Sequence, residues 1–413
     1  MERIPALKCP PRKTLLYLFC AMFLACAFYV FYVSESYTSV HLLEDNIPNP
    51  INSPSSVQPP STTAAEAKSA VTKSSSENAT ASGPTTPGPP PSDGCRTGPP
   101  KLVLLWTPFF GSWEYLGNFE RCRNCRNCRI TRDRNRLLES DAVVFHCRDM
   151  SLADLPPSRL PRQRWVFYCL ESPAYSDFPA LGHARHLFND TMTYRADSDI
   201  AAPYGTVSKV RPPRPLDRES LKWAWSNKTR SAAWLTSNCR TDGGRDAYVR
   251  ELRRHIDVDV YGKCGWLQCP QGQTHKCLLD FAAKYHFFLS FENAICRDYV
   301  TEKFYRTLQY DIVPVVFGGA DYRRVAPPGS FVDALAFKSP KHLAFFLRGL
   351  AKDFKLYSSY FEWRRSYAVS ASNSKQCALC ARLHRGSERP SSYGDLRKWW
   401  VDEAHCKTWK PKR

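Results

Sequence analysis

Two nucleotide-binding signatures are missing from these 413 residues: neither G-x-G-x-x-G nor G-x-x-x-x-G-K-[ST] occurs. A nucleotide held by this chain would meet its diphosphate through Arg, Lys and helix N-termini instead of a glycine-rich loop. Acidic residues are in deficit, 39 against 58 Lys and Arg, which leaves a formal charge of +19. Such a field favours anionic partners (nucleic acid, acidic lipid, phosphorylated substrates) without choosing among them. Charge is also absent from Thr14 to Val33, and Lys and Arg are absent from Ser34 to Ala67.

These last two absences say where the chain resides. The uncharged stretch is 20 residues long, enough to cross about 30 Å of hydrocarbon as a helix. Arg3, Lys8, Arg12 and Lys13 precede it against Glu2 alone, whereas Glu35, Glu44 and Asp45 follow it. The positive-inside rule keeps residues 1–13 cytosolic, makes 14–33 a signal-anchor and sends the rest across. A cleaved signal peptide is the competing reading, with Ala25-Cys26-Ala27 as its site, but the apolar run continues past that point. Residues 34–100 are rich in Pro, Ser, Thr and Ala; they cannot bury enough surface to offset their ordering entropy and read as a stem. Sequons stand at Asn78, Asn189 and Asn227. Together these features predict a single-pass type II protein of the secretory pathway.

Fourteen of the 17 cysteines follow the anchor, and an oxidising lumen favours disulfides. C-x2-C-x2-C (Cys122, Cys125, Cys128) and C-x2-C (Cys377, Cys380) would suggest zinc in the cytosol. Here no His stands at zinc-finger spacing, so a staple between the two ends of the folded part is favoured. The arginines around the first cluster read as a solvated basic surface, and nucleic acid is not an expected partner.

From Lys101 onward short apolar runs alternate with helical patterns. LVLLW (102–106), AVVFH (142–146), WVFYCL (165–170), SAAWLTSN (231–238), VDVYG (258–262), FFLSF (287–291) and IVPVVFGG (312–319) predict buried strands. Residues 244–256 and 298–309 predict helices. The fold class expected is α/β with parallel sheets: two Rossmann-like domains, 101–215 and 216–413, facing across a cleft and divided near Pro212, Pro213 and Pro215. Ligands bind beyond the carboxyl ends of such strands. That rule points to Glu171 after the WVFYCL strand, and to Ser237, Asn238 and Arg245 after SAAWLT. It also points to FENAICRDYVTEKFY (291–305), where Tyr299, Glu302 and Lys303 at i, i+3 and i+4 would share a helical face.

FENAICRDYVTEKFY, followed by VPVVFGGADYRRVAPPGSFVDALAFKSPKHLAFFL and YFEWR, resembles the signature region of the α1,3-fucosyltransferases of glycosyltransferase family 10. ESPAYSDF, FNDTMTYRADSDIAAPYG, WLTSN and DVDVYG resemble the same family in the right order. The likeness runs from Leu102 to about Trp400 and is closest to invertebrate members, type C-like and core enzymes included. It implies the GT-B fold and a Golgi enzyme, its catalytic part luminal. That enzyme would transfer fucose from GDP-fucose, with inversion, to a GlcNAc hydroxyl of a glycoprotein glycan. Two acceptors stay open: the innermost GlcNAc of N-glycans, or an outer LacNAc or LacdiNAc unit.

By the same resemblance Glu171 is the general base, and Arg245 and Lys303 meet the diphosphate. Asn293, Tyr299 and Glu302 bind nucleotide and fucose. Ser237, Asn238, Leu235 and Tyr204 take further donor-side positions, with core packing an alternative for Leu235. Phe288 stands where relatives place Tyr, so a hydroxyl contact would be lost and ring packing kept. Ser112 and Trp113 fall among the acceptor-side aromatics (110–115), which could equally be core. Asn78 in the stem and Asn189, a family position, are the expected glycosylation sites; Asn227 matches none. Cys377 and Cys380 are expected to join Cys122 and Cys128, the middle cysteines staying open. Two D-x-D patterns, Asp197-Ser198-Asp199 and Asp257-Val258-Asp259, raise the question of Mn2+, which serves the other major glycosyltransferase fold. With Arg245 and Lys303 at hand no metal is expected to be essential, Mn2+ being at most stimulatory.

Overall fold

The computed structural model describes Cys95 and residues 98–372, 374–385 and 392–411. The expected anchor, most of the expected stem and Asn78 lie outside the described residues. Among those described, no helix is long and apolar enough to cross a membrane.

Two parallel sheets carry the fold. The first has the order β2-β1-β3-β4-β5-β6, from β1 (Lys101–Leu105), β2 (Cys128–Thr131), β3 (Ala142–His146), β4 (Arg164–Cys169), β5 (Asp190–Thr193) and β6 (Ile200–Ala201). A two-stranded antiparallel ribbon pairs β7 (Thr206–Lys209) with β13 (Tyr367–Ser370). The second sheet runs β12-β11-β10-β8-β9: β8 (Arg230–Leu235), β9 (Val258–Tyr261), β10 (Tyr285–Phe291), β11 (Val313–Phe317) and β12 (Val332–Asp333). Its central strands are near-continuous apolar runs because a parallel sheet is covered on both faces. Phe287, Leu289 and Phe291 face one side of β10 and Phe288 the other.

The helices needed below are α1 (Pro173–Ser176), α2 (Arg218–Ser226), α3 (Arg245–Leu252), α4 (Thr274–Lys284), α5 (Glu302–Thr307), α6 (Pro340–Lys352), α7 (Lys375–Arg385) and α8 (Leu396–Trp400). Local chemistry sets their bounds. Ser339 caps α6 with Pro340 at its first position, and Leu343, Leu347 and Leu350 then bury one face in the second core.

Three expectations change. The predicted helix 298–309 forms only from Glu302. Asp298 takes a positive φ of 60° and Thr301 caps the helix, so Tyr299 precedes it and shares no helical face with Glu302 and Lys303. Cys128–Thr131, Asp190–Thr193 and α4, read as no element, are strands and a helix. The chain end also departs from a boundary at 216. Leu379, Cys380 and Leu383 of α7 join the core of the first sheet with Val103 and Leu105, and Trp400 of α8 packs on Phe167 with centroids 5.7 Å apart. Trp409 then reaches the second sheet, where its amide donates to the Gly243 carbonyl at 3.1 Å.

Cys122–Cys377 and Cys128–Cys380 fasten that return, and Cys95–Cys125 ties Cys95 to the same corner. A single bridge over 255 residues contributes about 5 kcal/mol in the chain-entropy model. The second spans nearly the same loop and adds far less, since the first has already closed it. Cys147–Cys169, Cys239–Cys264, Cys269–Cys277 and Cys296–Cys406 complete the set. Cys95, Cys125, Cys380 and His384 offer ligand atoms within 4.8 Å of one another, but all three sulfurs are spent in bridges and none is a thiolate.

Candidate active site

At the end of β10 the carboxylate of Glu292 is completely buried. It accepts from the Thr301 amide at 2.8 Å, from the Thr301 hydroxyl at 2.9 Å and from Lys303 Nζ at 3.2 Å. Lys303 Nζ also donates to Thr301 Oγ1 at 2.8 Å and lies 3.5 Å from Glu302. Burial works against the lysine charge, but Glu292 and Glu302 outweigh it and hold its pKa above the usual value. Burial likewise disfavours the Glu302 carboxylate, yet Lys303 and Arg306 bring its pKa below the ordinary one. Both groups are thus charged at neutral pH, about a third exposed, and aimed from the first turn of α5. Beside them the Asn293 side-chain oxygen is buried without a hydrogen-bond partner.

Arg245 begins α3 as expected, but it is 3% exposed. Its guanidinium donates to the Phe291 carbonyl at 2.6 Å, to Thr236 Oγ1 at 3.1 Å and to the Asn238 carbonyl at 3.3 Å. It lies over the Trp234 ring at 5.7 Å, and burial pushes its pKa down. Arg245 therefore welds the ends of β8 and β10 together, and only its Nε is without a partner. Gly244 makes the junction possible: its φ is +75°, and a Cβ there would stand 2.4 Å from the Trp409 carbonyl oxygen.

The first sheet supplies the opposite wall. β4 delivers Glu171 just before α1, whose N-terminal Pro173 fixes the turn. The Glu171 side chain is half-buried and, among the described residues, has no hydrogen bond or ion pair. Desolvation raises its pKa, Lys303 opposing and Glu302 adding to the rise. The loop after β4 therefore lies within the field of α5. Tyrosines hold the two strand ends together. Tyr204 donates to the Leu170 carbonyl at 2.8 Å, and its ring lies edge-on to Tyr299 at 6.5 Å. Tyr299, 2% exposed, packs on Tyr194 at 4.9 Å. The Asp242 amide donates to Tyr175 Oη at 3.2 Å, and Arg297 pairs with Asp197 at 3.3 Å.

The structure thus brings together Glu171, Glu302, Lys303, Asn293, Tyr299 and Tyr204, with Arg245 buried behind them. Ser237 and Asn238 are exposed beyond β8. Phe288 is a correction. Alternation along β10 turns it into the core under α4, 4% exposed and stacked on Phe281 at 5.9 Å, so neither hydroxyl nor ring at this position faces the site. Leu235 is partly buried against the same cluster, in line with its alternative as core. Phe288→Leu is expected to lower Tm with donor KM unchanged; a rise in donor KM at unaltered Tm would return the residue to the site.

On the acceptor side, Phe109 and Ser112 close a tight bridge around Phe110 (φ 49°) and Gly111 (φ 81°). Trp113 is partly buried against the first core; the exposed ring of this loop is Phe110, at 51%. The Asn189 sequon is another point of conflict. Asn189 is 7% exposed, and its side-chain oxygen accepts from the Trp165 amide at 2.8 Å and from Arg159, so any glycan at its nitrogen would leave from a buried side chain.

Three of the four D-x-D carboxylates are committed elsewhere, and Asp257 is exposed directly before β9. Asp197 pairs with Arg195 at 2.7 Å. Asp199 accepts from the Thr191 amide at 2.9 Å and from Tyr393 at 2.7 Å. Asp259 accepts from Arg230 and from Tyr285 at 2.6 Å. Glu292 is the functional residue that sequence reading left without a role. Its signal was present in the sequence: a carboxylate directly after a buried strand needs an internal partner once buried, and Thr301 and Lys303 follow on one turn.

Both halves of the described chain match family models: "Fucosyltransferase, N-terminal" over residues 98–205 and "Glycosyltransferase family 10 (fucosyltransferase) C-term" over 225–399. The chain is similar to alpha-(1,3)-fucosyltransferase C of Drosophila melanogaster, at 38% identity over 75% of this chain and 79% of that one. It is also similar to 4-galactosyl-N-acetylglucosaminide 3-alpha-L-fucosyltransferase 9 of Homo sapiens, at 35% identity over 72% and 81%. A solved alpha1,3-fucosyltransferase with GDP-fucose aligns at 16% identity and a TM-score of 0.47, over 76% of this chain and 96% of that one. The chain belongs to the glycosyltransferase family 10 fucosyltransferases.

Proposed function

We propose that this fucosyltransferase moves L-fucose from GDP-β-L-fucose to a GlcNAc hydroxyl in α1,3 linkage, with inversion, on glycoprotein N-glycans or other GlcNAc-containing glycans. The observation that carries the reading is the unpaired Glu171 carboxylate within the electrostatic field of the charged turn Glu302–Lys303. In a single displacement the acceptor oxygen bonds to fucose C1 while the bond from C1 to the GDP oxygen breaks. Glu171 takes the hydroxyl proton, and its raised pKa makes it a better base than an exposed carboxylate. Charge appearing on the diphosphate meets Lys303, fixed in advance by Glu292 and Thr301.

Ionised Glu302 and the free oxygen of Asn293 accept from sugar or nucleotide hydroxyls. Tyr299 and Tyr204 position the two walls, and Ser237 and Asn238 line the donor side. Arg245 acts chiefly by holding the strand ends, its Nε left for the donor. Phe110, Ser112 and Trp113 border the acceptor. The arrangement is of the GT-B type, and residues 14–33 anchor it as a type II protein of the Golgi membrane.

With Asp197, Asp199 and Asp259 committed, Lys303 serves in place of a bridging metal. Supplied with GDP-fucose in EDTA, the enzyme is expected to fucosylate a GlcNAc-containing acceptor and to ignore UDP-sugars. Activity lost in EDTA and restored by Mn2+ would overturn the metal-free reading; preference for a UDP-sugar would overturn the donor.

A further inference from the structure

The sequon Asn227-Lys228-Thr229 stands at the end of α2 and takes no part in the site above. Lys228 points inward: it is 7% exposed and donates to the carbonyls of Ala282 and Tyr285, the latter at 3.0 Å. Burial lowers its pKa to about 8. With the middle residue pinned in the core, both sequon side chains that matter, Asn227 and Thr229, are turned to solvent. One turn earlier on the same helix, Trp223 is 72% exposed. It forms one wall of a recess of about 470 Å³ that Glu219, Ser220, Ala224 and Asp311 complete. An indole so exposed offers a flat apolar face on which the apolar face of a sugar ring can lie.

We infer that Asn227 is an N-glycosylation site whose first sugars lie back over Trp223 and the adjoining recess. The inference rests on the secretory-pathway reading of this chain. In the transfer, Asn227 Nδ2 bonds to C1 of the first GlcNAc and loses one proton. A lipid-linked oligosaccharide diphosphate is the donor, and the lipid diphosphate leaves. The second N–H remains, so the existing bond from Nδ2 to the Trp223 carbonyl, 2.8 Å long, can persist in the product. Helical side chains lean toward the N-terminus, so the glycan starts out directed at the residue four positions back, about 6 Å along the axis. The apolar face of GlcNAc then covers the indole, while its hydroxyls meet Glu219, Ser220 and Asp311. Asn227 is exposed in the fold, in contrast to Asn189, which is 7% exposed.

The test is expression of the full chain in a eukaryotic secretory host, with glycopeptide mass spectrometry and Tm as readouts. The Asn227 peptide is expected to carry a glycan that Asn227→Gln and Thr229→Ala each remove. Thr229→Ala, which removes the glycan and keeps the Asn227 side chain, is expected to lower Tm in the wild-type background and to leave it unchanged beside Trp223→Ala. A bare Asn227 on chains glycosylated at Asn78 would overturn the site and leave the secretory reading standing. Chains with no glycan at any of the three sequons would overturn both. An occupied Asn227 whose Tm contribution survives Trp223→Ala would overturn the seating on the indole.

Discussion

Glu171→Gln is expected to cut kcat by about 10²–10⁴, the usual contribution of a positioned general base, with KM for either substrate little changed. The substitution keeps the shape and removes only the capacity to take a proton. A structural role would behave differently, and stability separates the two. The folded pKa of Glu171 is raised, desolvation being the main cause, so between the unfolded and folded values the folded state binds more protons. Stability therefore falls as pH rises through that window, and the cost is full above it. Glu171→Gln carries no such charge; it should melt above the wild type at neutral pH and converge with it once both are acidified below the ordinary carboxylate range. Activity lost and stability gained together mark a carboxylate kept ionisable at a cost to the fold. A drop in both would show that Glu171 holds the loop in place.

The second large effect is expected at Glu292. Glu292→Ala leaves the Thr301 amide and the Lys303 ammonium without their shared acceptor. Removing one member of a buried pair costs about 3–5 kcal/mol, so a marked fall in Tm should accompany weak donor binding. Glu292→Gln keeps an acceptor for Thr301 but not the charge that steadies Lys303. It should fold and show a raised donor KM with a smaller loss in kcat. An unaltered KM in that variant would mean that Lys303 needs no help from Glu292.

How far the sequence reveals this site depends on the range of the forces involved. Strand ends are local: an apolar run that stops at Glu292-Asn293 or at Glu171 shows where a parallel sheet offers its ligand edge. The helix start at Arg245 is equally local, because a chain in the left-handed conformation at Gly244 cannot be helical before it. Phe288 shows the limit of reading residues singly. Strand alternation settles its direction, and Phe281 on α4 receives it. Tyr299 illustrates another limit, since helical spacing cannot reveal that Asp298 takes a positive φ and delays the helix to Glu302.

Long-range packing was the least legible. Nothing near Leu379 or Trp400 says that they cover the first sheet; the Cys377 and Cys380 pairings were the one hint of that return. The burial of Arg245 was hidden for a related reason. A strand-end arginine reads as a ligand contact until the carbonyls of Phe291 and Asn238 are seen to claim it. For Asn189 the sequon is plain in the sequence, but its place between Arg159 and Trp165 is tertiary.

The division of labour between the two walls is the central claim, and a GDP titration of two variants tests it most directly. Glu171→Gln is expected to bind GDP as the wild type does, because its role begins with the acceptor proton. Glu292→Gln is expected to bind GDP about tenfold more weakly, the scale of one charge-assisted hydrogen bond lost. Weakened GDP binding in Glu171→Gln with wild-type affinity in Glu292→Gln would place the donor on the first sheet and contradict the account.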